Sequence, residues 1–478
     1  MSVVRTRFAP SPTGFLHIGT IRTALFAWLL AKHHNGQFIL RIEDTDQKRE
    51  VDGSIEHIIK CLKSLGINYD EGPDVPGPYG PYLQSQRLSH YREWADKLIK
   101  DGRAYADSTS PEALAQLRIQ AQKDHIPFLY RNHRPANPPI WDGKTPLRFK
   151  SEPQDYTWDD AVMGKLSAPK EVVDDFVIIK SDGFPTYNFA HIVDDTEMKI
   201  THVIRGHEFL PSVPNYLNLY QALDIGPPIF VTPPPVLGPT GNKKLSKRDG
   251  AKDLIAYLEE GYLEEALINF IVSLGWNDGT TKEIYTINEL IKAFSTERIQ
   301  KSGARFDEQR LLWMNGSYIR SLSLEQLYDR TDNFWPPEAQ QFPKSYRINV
   351  LRLVQERLKY LAELPSLTNY FFIDLAINPD LIDNNKKLKS INKEELRSLL
   401  NKAIATLRLS DFSEPDITER LNQLLQATNQ TPPVLFGLIR IATTQVASSP
   451  PLASSLEVLG KQKVLDRLNA QLEYFVAN

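Results

Sequence analysis

The first forty residues alternate between strand-like and helix-like patterns, and this alternation limits the folds open to the chain. Residues 3–9 are a short β-prone run, and residues 10–14 have turn-forming composition. Apolar residues then recur at helical spacing until Asn35-Gly36, a dipeptide that predicts the end of the helix. A second β-prone run covers residues 38–42. A strand, a helix and a strand in this order form a βαβ unit and favour a parallel sheet covered by helices.

The sheet is expected to resume after an interruption that is rich in proline. Strand-like runs return at residues 176–179, 202–204 and 229–231. From about residue 254 the pattern is mostly helical, with apolar periodicity in 263–274 and 350–364. The tail from residue 323 is therefore predicted to be all helical.

Composition excludes several classes of protein but does not by itself identify a partner. The only cysteine is Cys61, so neither a disulfide framework nor a cysteine-rich zinc site can form. A metal held by histidine and carboxylates stays open, although no clustered pattern of ligands indicates one. No apolar run approaches a membrane span, and the N-terminus lacks the layout of a signal peptide, so a cytoplasmic location is expected. A net charge of −3 neither supports nor forbids RNA binding, because a basic stripe can lie on a neutral protein.

The first motif lies where the predicted turn meets the first helix. The run His17-Ile18-Gly19-Thr20 follows the turn at 9–14. Free backbone N–H groups and the positive end of the helix dipole suit a triphosphate at such a place. Gly19 would allow a nucleotide close to the backbone, and His17 can donate to phosphate oxygens. The alternative is that His17 only caps the helix and Gly19 only forms a turn.

The second motif is a cationic run in a loop that begins with Gly238-Pro239-Thr240-Gly241. It reads Lys244-Leu245-Ser246-Lys247-Arg248. Three cations in five residues could clamp phosphates and neutralise charge that builds up in a phosphoryl transition state. A solvated, merely charged surface is the alternative for this run taken alone.

Together the two motifs resemble the HIGH and KMSKS signatures of class I aminoacyl-tRNA synthetases. Within that class the chain resembles the bacterial-type glutamyl-tRNA synthetases, from about residue 5 to 320. The resemblance rests on RFAPSPTG at 7–14, RIEDTD at 41–46, GPYLQS at 80–85, PTYNFA at 185–190, VIRG at 203–206 and WMNG at 313–316. Six such strings in family order are highly specific.

The resemblance implies an α/β fold with a Rossmann-type parallel-sheet catalytic domain in two halves, 1–75 and 171–254. An inserted α+β domain, 76–170, would bind the tRNA acceptor end. A helical domain at 255–322 would contact the tRNA stem. The all-α region at 323–478, expected to comprise two subdomains, would bind the anticodon.

The resemblance also implies a glutamate site. A dicarboxylic amino acid needs cations for its side-chain carboxylate and an anion for its ammonium group, and arginines and a glutamate supply both. His191 stands where some relatives have asparagine near the substrate. An ion pair between Arg41 and Glu43, a core role for Tyr187 and a core role for His191 are the structural alternatives. The expected glutamate-binding residues are Arg7, Ser11, Glu43, Tyr187, His191 and Arg205.

ATP, a substrate, would bind with Mg²⁺ held mainly by its phosphates and water. The expected catalytic residues are His17, Gly19, Lys244 and Lys247. The expected ATP-binding residues add Thr20, Glu208, Ser246 and Arg248 to these. Some relatives carry a zinc-binding cysteine cluster after a dipeptide like Ala104-Tyr105. Residues 106–110 contain no cysteine, so no protein metal site and no structural zinc are expected.

The implied partners are glutamate, ATP and tRNA(Glu), and the sequence leaves open whether tRNA(Gln) is also charged. Arg357, on a predicted helix, lies near the place where an arginine in some relatives excludes tRNA(Gln). A surface role for Arg357 is the alternative. The chain is expected to be a monomer that does not bind membranes.

Three other functions fit parts of the pattern. One is a paralogue that glutamylates a modified tRNA base, but such proteins lack the helical tail. Another is a nucleotidyltransferase that makes a small cofactor, but such enzymes are usually shorter and lack the arginine set. The third is a catalytically silent RNA-binding protein, against which the intact motif residues argue.

Overall fold

The computed structural model describes residues 3–241, 243–245 and 252–477. They form two compact units. The first contains the chain up to Leu258 together with Glu264–Glu308, and the second contains Glu259–Leu263 and the chain from Gln309 onwards. Among the described residues, no helix combines the length and apolar character that crossing a lipid bilayer requires. The five-domain division stays a prediction.

The described strands fall into three sheets, all in the first unit. The strands are β1 (Arg5–Phe8), β2 (Gln37–Leu40), β3 (Ala104–Ala106), β4 (Leu147–Phe149), β5 (Tyr156–Asp160), β6 (Gly164–Ala168), β7 (Val177–Ile179), β8 (His202–Ile204), β9 (Ile229–Val231), β10 (Val236–Leu237) and β11 (Ala304–Arg305). The main sheet has the order β2-β1-β8-β9-β5-β6. The order of the three-stranded sheet is β3-β4-β7, and β10 pairs with β11.

Helices make up most of the remaining structure. Through residue 293 they are α1 (Ile18–His33), α2 (Ser54–Ser64), α3 (Leu88–Lys100), α4 (Pro111–Lys123), α5 (Tyr187–Glu197), α6 (Val213–Ala222), α7 (Leu254–Glu259), α8 (Glu264–Ser273) and α9 (Ile287–Ala293). Those that follow are α10 (Glu308–Ser321), α11 (Leu324–Asp329), α12 (Lys344–Val354), α13 (Leu364–Phe372), α14 (Asp380–Asp383), α15 (Lys393–Arg408), α16 (Glu414–Thr428), α17 (Pro432–Thr444), α18 (Leu452–Leu459) and α19 (Lys461–Ala477). The α/β catalytic unit and the helical tail are as predicted.

The predicted βαβ unit is confirmed at one edge of the main sheet. Strand β1 pairs in parallel with β2, with Arg5 opposite Gln37. Helix α1 ends as predicted, because Asn35 adopts a left-handed φ of 51°. At Gly36 an added Cβ would come within 2.0 Å of the Val4 carbonyl oxygen, so only glycine fits beside the strand. Helix α1 then packs against β1, β2, α8 and α9.

The order of the parallel strands alone predicts where a ligand binds on the main sheet. The chain runs from β1 to β2 on one side and returns through β8 and β9 on the other, all in parallel. The connections therefore leave in opposite directions between β1 and β8. Ligands of open α/β sheets bind at the carboxyl ends of strands beside such a reversal.

Two expectations about strands need correction. The run at 176–179 does form β7, but β7 pairs antiparallel with β4 in the three-stranded sheet and does not continue the main sheet. Conversely, β5 and β6, which lie in the predicted insertion, join the main sheet beside β9. A short apolar run carries no information about its partner strand, because pairing is decided by distant segments.

The prediction of one continuous helix over residues 350–364 is also wrong. Helix α12 ends at Val354, and 3₁₀ turns follow at Gln355–Arg357 and Leu361–Glu363. The amide of Leu361 donates to the carbonyl of Gly261, at 3.1 Å, instead of to a preceding turn. Tertiary hydrogen bonds thus replace the intrahelical bonds that the apolar periodicity predicted.

Candidate active site

A cleft of about 300 Å³ opens at the carboxyl ends of β1 and β8. It collects ten of the residues predicted for glutamate and ATP. These are Arg7, Ser11, His17, Gly19, Thr20, Glu43, Tyr187, Arg205, Glu208 and Lys244. The early histidine turn and the start of the late lysine loop therefore face one shared cleft.

His17 is the N-cap residue of α1, and its carbonyl accepts from the amides of Thr20 and Ile21 at 2.9 and 3.0 Å. Its backbone is extended, with φ −119° and ψ 166°, and its side chain forms no cap hydrogen bond. Gly19 lies inside α1, and a Cβ at this position would come within 3.2 Å of the His17 ring. Glycine thus lets the imidazole lie against the first turn of the helix. The alternative that Gly19 only forms a turn is wrong, because Gly19 lies within α1, whereas the role of His17 toward ATP stays a prediction.

The start of the lysine loop also lines the cleft. Strand β10 leads to Lys244, whose Nζ lies 2.8 Å from Glu208 Oε1. Burial opposes ionisation of Glu208, but the hydrogen bond and charge of Lys244, together with a backbone hydrogen bond and His207, outweigh burial and lower the pKa of the carboxyl. Ser246, Lys247 and Arg248, all predicted ATP ligands, lie outside the described residues.

Arg22 is a cation of the cleft that the sequence interpretation missed. It is 4% exposed, and its guanidinium donates to the carbonyls of Leu274, at 2.8 Å, and Pro234. Burial lowers the pKa of Arg22 to about 10, so it is charged at neutral pH. Its signal in the sequence was its position as the one charged residue of the apolar run 18–31. Such a buried charge indicates a partner or a ligand.

Arg205 also lines the cleft, and its surroundings are aromatic. Its guanidinium carbon is 4.7 Å from the ring centroid of Tyr216 and 5.2 Å from that of Phe209. Its exposure is 7%. Among the described residues, no carboxylate forms a salt bridge with it; burial opposes its charge, and the interactions that raise its pKa are with tyrosines. A buried guanidinium without a carboxylate partner among the described residues can donate hydrogen bonds to an anionic ligand.

Arg7 and Glu43 also face the cleft, but each already has a partner of opposite charge. Arg7 Nε lies 3.0 Å from Asp195 Oδ1, and Glu43 Oε1 lies 2.9 Å from Arg41 Nη2. Burial raises the pKa of Glu43 in spite of the Arg41 guanidinium. The Arg41–Glu43 ion pair considered as an alternative therefore exists, and Glu43 lines the cleft as well. A ligand ammonium next to Glu43 would favour the ionised carboxylate.

His191 is placed behind the cleft and does not line it. Its ring is 1% exposed and stacks on Tyr187 with centroids 4.9 Å apart. The Nδ1 atom lies 2.8 Å from the Tyr187 carbonyl, so it carries the proton, and Nε2 accepts from Arg205 Nη1 at 3.3 Å. Burial, and next the charge of Arg205, lower the pKa of His191 well below its usual value. The neutral ring is therefore hydrogen-bonded between the Tyr187 carbonyl and Arg205, and its predicted role in binding glutamate stays a prediction.

This arrangement predicts a pH dependence of folding. Unfolded His191 binds a proton below about pH 6.5, whereas the folded protein excludes that proton, so acid favours the unfolded chain. The free energy of unfolding is expected to fall by about 1.4 kcal/mol between pH 7.5 and 5.5 on this account. Urea unfolding of wild type and His191→Gln measures it as the part of the pH dependence that the substitution removes. Identical pH dependence in the two proteins would show that His191 titrates normally.

A second carboxylate, next to Asp195, holds the scaffold behind the cleft. Asp194 Oδ1 accepts from Arg87 Nε at 2.7 Å, and its Oδ2 accepts from Gln84 Nε2 at 2.7 Å and from the Tyr91 hydroxyl at 3.0 Å. Asp194 is fully buried. Sequence interpretation assigned neither aspartate a role. The available signal was an acidic pair within the apolar helix α5.

Three potential metal ligands meet near the histidine turn, although their spacing in the sequence did not indicate a cluster. His57, Cys61 and Asp253 have ligand atoms within 4.8 Å of one another. Cys61 Sγ lies 3.6 Å from both ring nitrogens of His57, so the sulfur lies over the ring. The Nε2 atom of His57 lies 2.9 Å from Asp253 Oδ2. Burial, followed by Asp253, raises the pKa of the thiol to about 12. These contacts are those of a histidine–aspartate pair packed on a neutral thiol.

Arg357 lies in the second unit, on a 3₁₀ turn and not on the helix expected. Its Nη2 donates to Ser448 Oγ at 2.7 Å. The charge of Arg357 acts on Arg440, whose pKa is lowered by burial and then by this neighbour. Two arginines that repel each other form a positive region on which a nucleic acid could bind.

The chain matches two known families end to end. Residues 3–313 match the catalytic domain of class I tRNA synthetases (E and Q), and residues 326–472 match an anticodon binding domain. A glutamate–tRNA ligase of Dehalococcoides mccartyi is 41% identical over 474 residues, which cover 97% of this chain and 96% of the relative. One from Clostridium novyi is 40% identical over 98% of each chain.

Solved structures agree with these sequence matches. A crystal structure of a glutamate tRNA ligase from Elizabethkingia meningosepticum, in complex with its amino acid, superposes with a TM-score of 0.89 at 33% identity over 99% of both chains. The glutamate–tRNA synthetase of Elizabethkingia anophelis gives a TM-score of 0.87 at 33% identity, covering 99% of this chain and 100% of that one. The likeness extends over both units of the chain.

Proposed function

The chain belongs to the class I tRNA synthetases of the glutamate and glutamine type, and we propose that it is a glutamate–tRNA ligase that activates glutamate with ATP and transfers it to tRNA(Glu). The α-carboxylate of glutamate attacks the α-phosphorus of ATP and releases pyrophosphate, which gives a mixed anhydride. A ribose hydroxyl of the terminal adenosine of the tRNA then attacks the anhydride carbonyl and releases AMP. Such steps need positioning and charge stabilisation more than a general base.

One observation carries the choice of glutamate: Arg205 is a buried guanidinium that lacks a carboxylate partner among the described residues. Arg7 is balanced by Asp195, and Glu43 by Arg41. Around Arg205 the cleft therefore has one positive charge in excess, in addition to that of Arg22, and the side-chain carboxylate of glutamate balances the charge of Arg205. Glutamine would leave the guanidinium buried beside a neutral amide, and an unpaired buried charge is costly.

The triphosphate end of ATP is assigned to a different part of the cleft. His17, the first turn of α1 and Lys244 supply hydrogen-bond donors there, and Ser11 joins Arg7 and Tyr187 on the glutamate side. The lysine loop adds Lys247, with Ser246 and Arg248, on the basis of the sequence motif. These cations act on charge that develops during phosphoryl transfer, so they raise kcat more than they tighten binding.

Mg²⁺ is assigned to the nucleotide and not to a protein cage. The described lining includes two carboxylates, Glu43 and Glu208, and each is already in an ion pair. This inventory fits an ion that keeps its waters and binds mainly to phosphate oxygens. We assign no structural zinc, because the predicted insertion carries no cysteine cluster.

The partners and location follow from the activity. The inserted residues would bind the acceptor end, residues 255–322 the stem, and the helical tail the anticodon, with Arg357 selecting between tRNAs. Arg357 lies beside Arg440, which supports a role in binding nucleic acid. We propose a monomer that works in the cytoplasm, where tRNA is charged for protein synthesis.

A charging assay tests the proposed function. Purified protein would be given tRNA(Glu) or tRNA(Gln), each with glutamate and with glutamine, and the aminoacylated tRNA would be measured. We expect glutamate on tRNA(Glu) and no glutamine on either tRNA. Glutamate on tRNA(Gln) would show relaxed tRNA selection. Absence of charging in all four reactions, with ATP and Mg²⁺ present, would refute the assignment.

A further inference from the structure

Two of the residues assigned to glutamate are joined by a buried chain of alternating charges. Asp195 Oδ1 accepts from Arg7 Nε at 3.0 Å and from Arg41 Nη1 at 2.7 Å. Arg41 in turn donates from Nη2 to Glu43 Oε1 at 2.9 Å. The four residues are between 0 and 4% exposed. The guanidinium assigned to the carboxylate end and the carboxylate assigned to the ammonium are therefore linked through Asp195 and Arg41.

We propose that Asp195 is a positioning residue that selects glutamate by aiming Arg7 and by keeping Glu43 available to the substrate ammonium. This inference rests on the proposed function. Asp195 is absent from the lining of the cleft, so it acts through the two arginines and not by contact with the ligand. One of its oxygens carries both contacts, which fixes the two guanidinium groups relative to each other.

The effect on Arg7 comes from its orientation. Arg7 Nε is held by Asp195, and Nη1 reaches the Ile204 carbonyl at 3.3 Å. The longer of these contacts is to a neutral carbonyl and the shorter is to a buried carboxylate, so the carboxylate dominates the orientation. Without its charge the guanidinium would be free to leave the direction in which a ligand carboxylate meets it.

The effect on Glu43 comes from competition for Arg41. That guanidinium is fully buried and divides its donors between Asp195 and Glu43, while its Nε lies 3.6 Å from Asp194 Oδ2. If Asp195 lost its charge, Glu43 would be the nearest remaining carboxylate. Arg41 would then bind Glu43 more strongly, and the substrate ammonium would have to compete with a buried arginine.

The neighbouring aspartate offers a matched control. Asp194 and Asp195 are adjacent on α5, and both are buried and paired with arginines. Asp194 makes its hydrogen bonds to Arg87, Tyr91 and Gln84, and none of these lines the cleft. Asp194 Oδ2 also lies 3.6 Å from Arg41 Nε, a longer contact than those that Arg41 makes with Asp195 and Glu43. Loss of the Asp194 charge therefore weakens mainly the anchoring of α3 and of the segment before it, and leaves the shorter contacts of Arg7 and Glu43 in place.

The experiment compares Asp195→Asn with Asp194→Asn in the full-length protein. Steady-state aminoacylation of tRNA(Glu) gives kcat and separate KM values for glutamate and for ATP. For Asp195→Asn we expect the glutamate KM to rise about tenfold or more, because a buried charge contact is lost. The ATP KM should stay within about twofold. For Asp194→Asn we expect a lower melting temperature and a glutamate KM within about twofold of wild type.

The direction in which the glutamate KM of Asp195→Asn changes distinguishes a positioning role of Asp195 from a role that only neutralises positive charge. Removal of Asp195 leaves an extra positive charge, which alone would attract anionic glutamate and lower its KM. A lower or unchanged glutamate KM in a folded Asp195→Asn protein overturns the proposal. If wild type itself failed to charge tRNA with glutamate, the proposed function would fail instead.

A second variant keeps the test available if Asp195→Asn does not fold. Arg41→Lys keeps the positive charge, but one ammonium group cannot reproduce the fork that spans Asp195 and Glu43. The same rise in glutamate KM is expected, with the ATP KM again nearly constant. A glutamate KM at the wild-type value in Arg41→Lys would overturn the role of the linked chain.

Discussion

Replacing Arg205 with methionine is expected to lower kcat/KM for glutamate by about 30- to 5,000-fold, since truncating one partner of a buried, hydrogen-bonded charge pair costs about 2–5 kcal/mol. Methionine fills similar space and removes only the donors and the charge. The free pocket would lose its excess positive charge, so the side-chain carboxylate of glutamate would be buried without a partner. Aminoacylation of tRNA(Glu) over a range of glutamate concentrations measures the loss.

Arg205→Lys is the matched control for this prediction. Lysine keeps the charge but lacks the planar fork, so an intermediate loss is expected. The melting temperatures of both variants would verify that the pocket remains folded. A kcat/KM for glutamate within a few fold of wild type in a folded Arg205→Met protein would remove Arg205 from the glutamate site.

The second large effect is expected for His17→Ala. His17 lies at the start of α1 on the ATP side of the cleft, and its ring is not engaged in capping the helix. Loss of one preorganised donor to a developing charge typically costs about 10²–10³-fold in kcat. The glutamate KM should change little, because the histidine is assigned to ATP and Arg205 to glutamate. Single-turnover formation of the adenylate would measure the chemical step.

His34→Ala is a suitable control, because His34 follows the other end of the same helix and is exposed. The aminoacylation rate of the His34→Ala protein is expected to equal that of wild type. If His17→Ala raised only the KM for ATP and left kcat unchanged, His17 would act in ground-state binding and not on the transition state.

Local signals explain why the catalytic unit and half of the cleft could be predicted from the sequence. The alternation of strand and helix periods in the first forty residues specifies β1, α1 and β2, and it fixes where His17 and Glu43 emerge. In a parallel sheet the carboxyl ends of neighbouring strands meet at one edge, so residues that follow different strands converge. Arg7 and Arg205 are brought together in this way although they are far apart in sequence.

Long-range contacts explain what the sequence could not reveal. Arg7 and Arg41 share Asp195 on α5, more than 150 positions away, as a partner. The acidic pair within α5 is a local signal of burial, but it does not reveal which arginines the aspartates bind. Arg22 likewise meets the carbonyls of Pro234 and Leu274. The sequence also does not show which atoms the two ring nitrogens of His191 contact, because tertiary packing determines these contacts. The misplaced β7 and the interrupted helix after Val354 have the same origin, since distant strands and carbonyls supplied the partners.

The charge balance around Arg205 also limits which substrates the pocket can accept. Arg7 with Asp195 and Glu43 with Arg41 form two neutral pairs, and neutral His191 adds no charge. A ligand with one net negative charge completes this arrangement, whereas a neutral isostere leaves Arg205 unpaired. Sites built to pair a buried polar group reject analogues that lack the partner far better than apolar pockets reject a change of size.

A crystal structure of the protein with glutamate bound, in the absence of tRNA, would show whether Arg205 binds the side-chain carboxylate. We expect both carboxylate oxygens within about 3 Å of the Arg205 guanidinium and the ammonium next to Glu43. A glutamate whose side chain points away from Arg205, toward His17, would contradict this expectation.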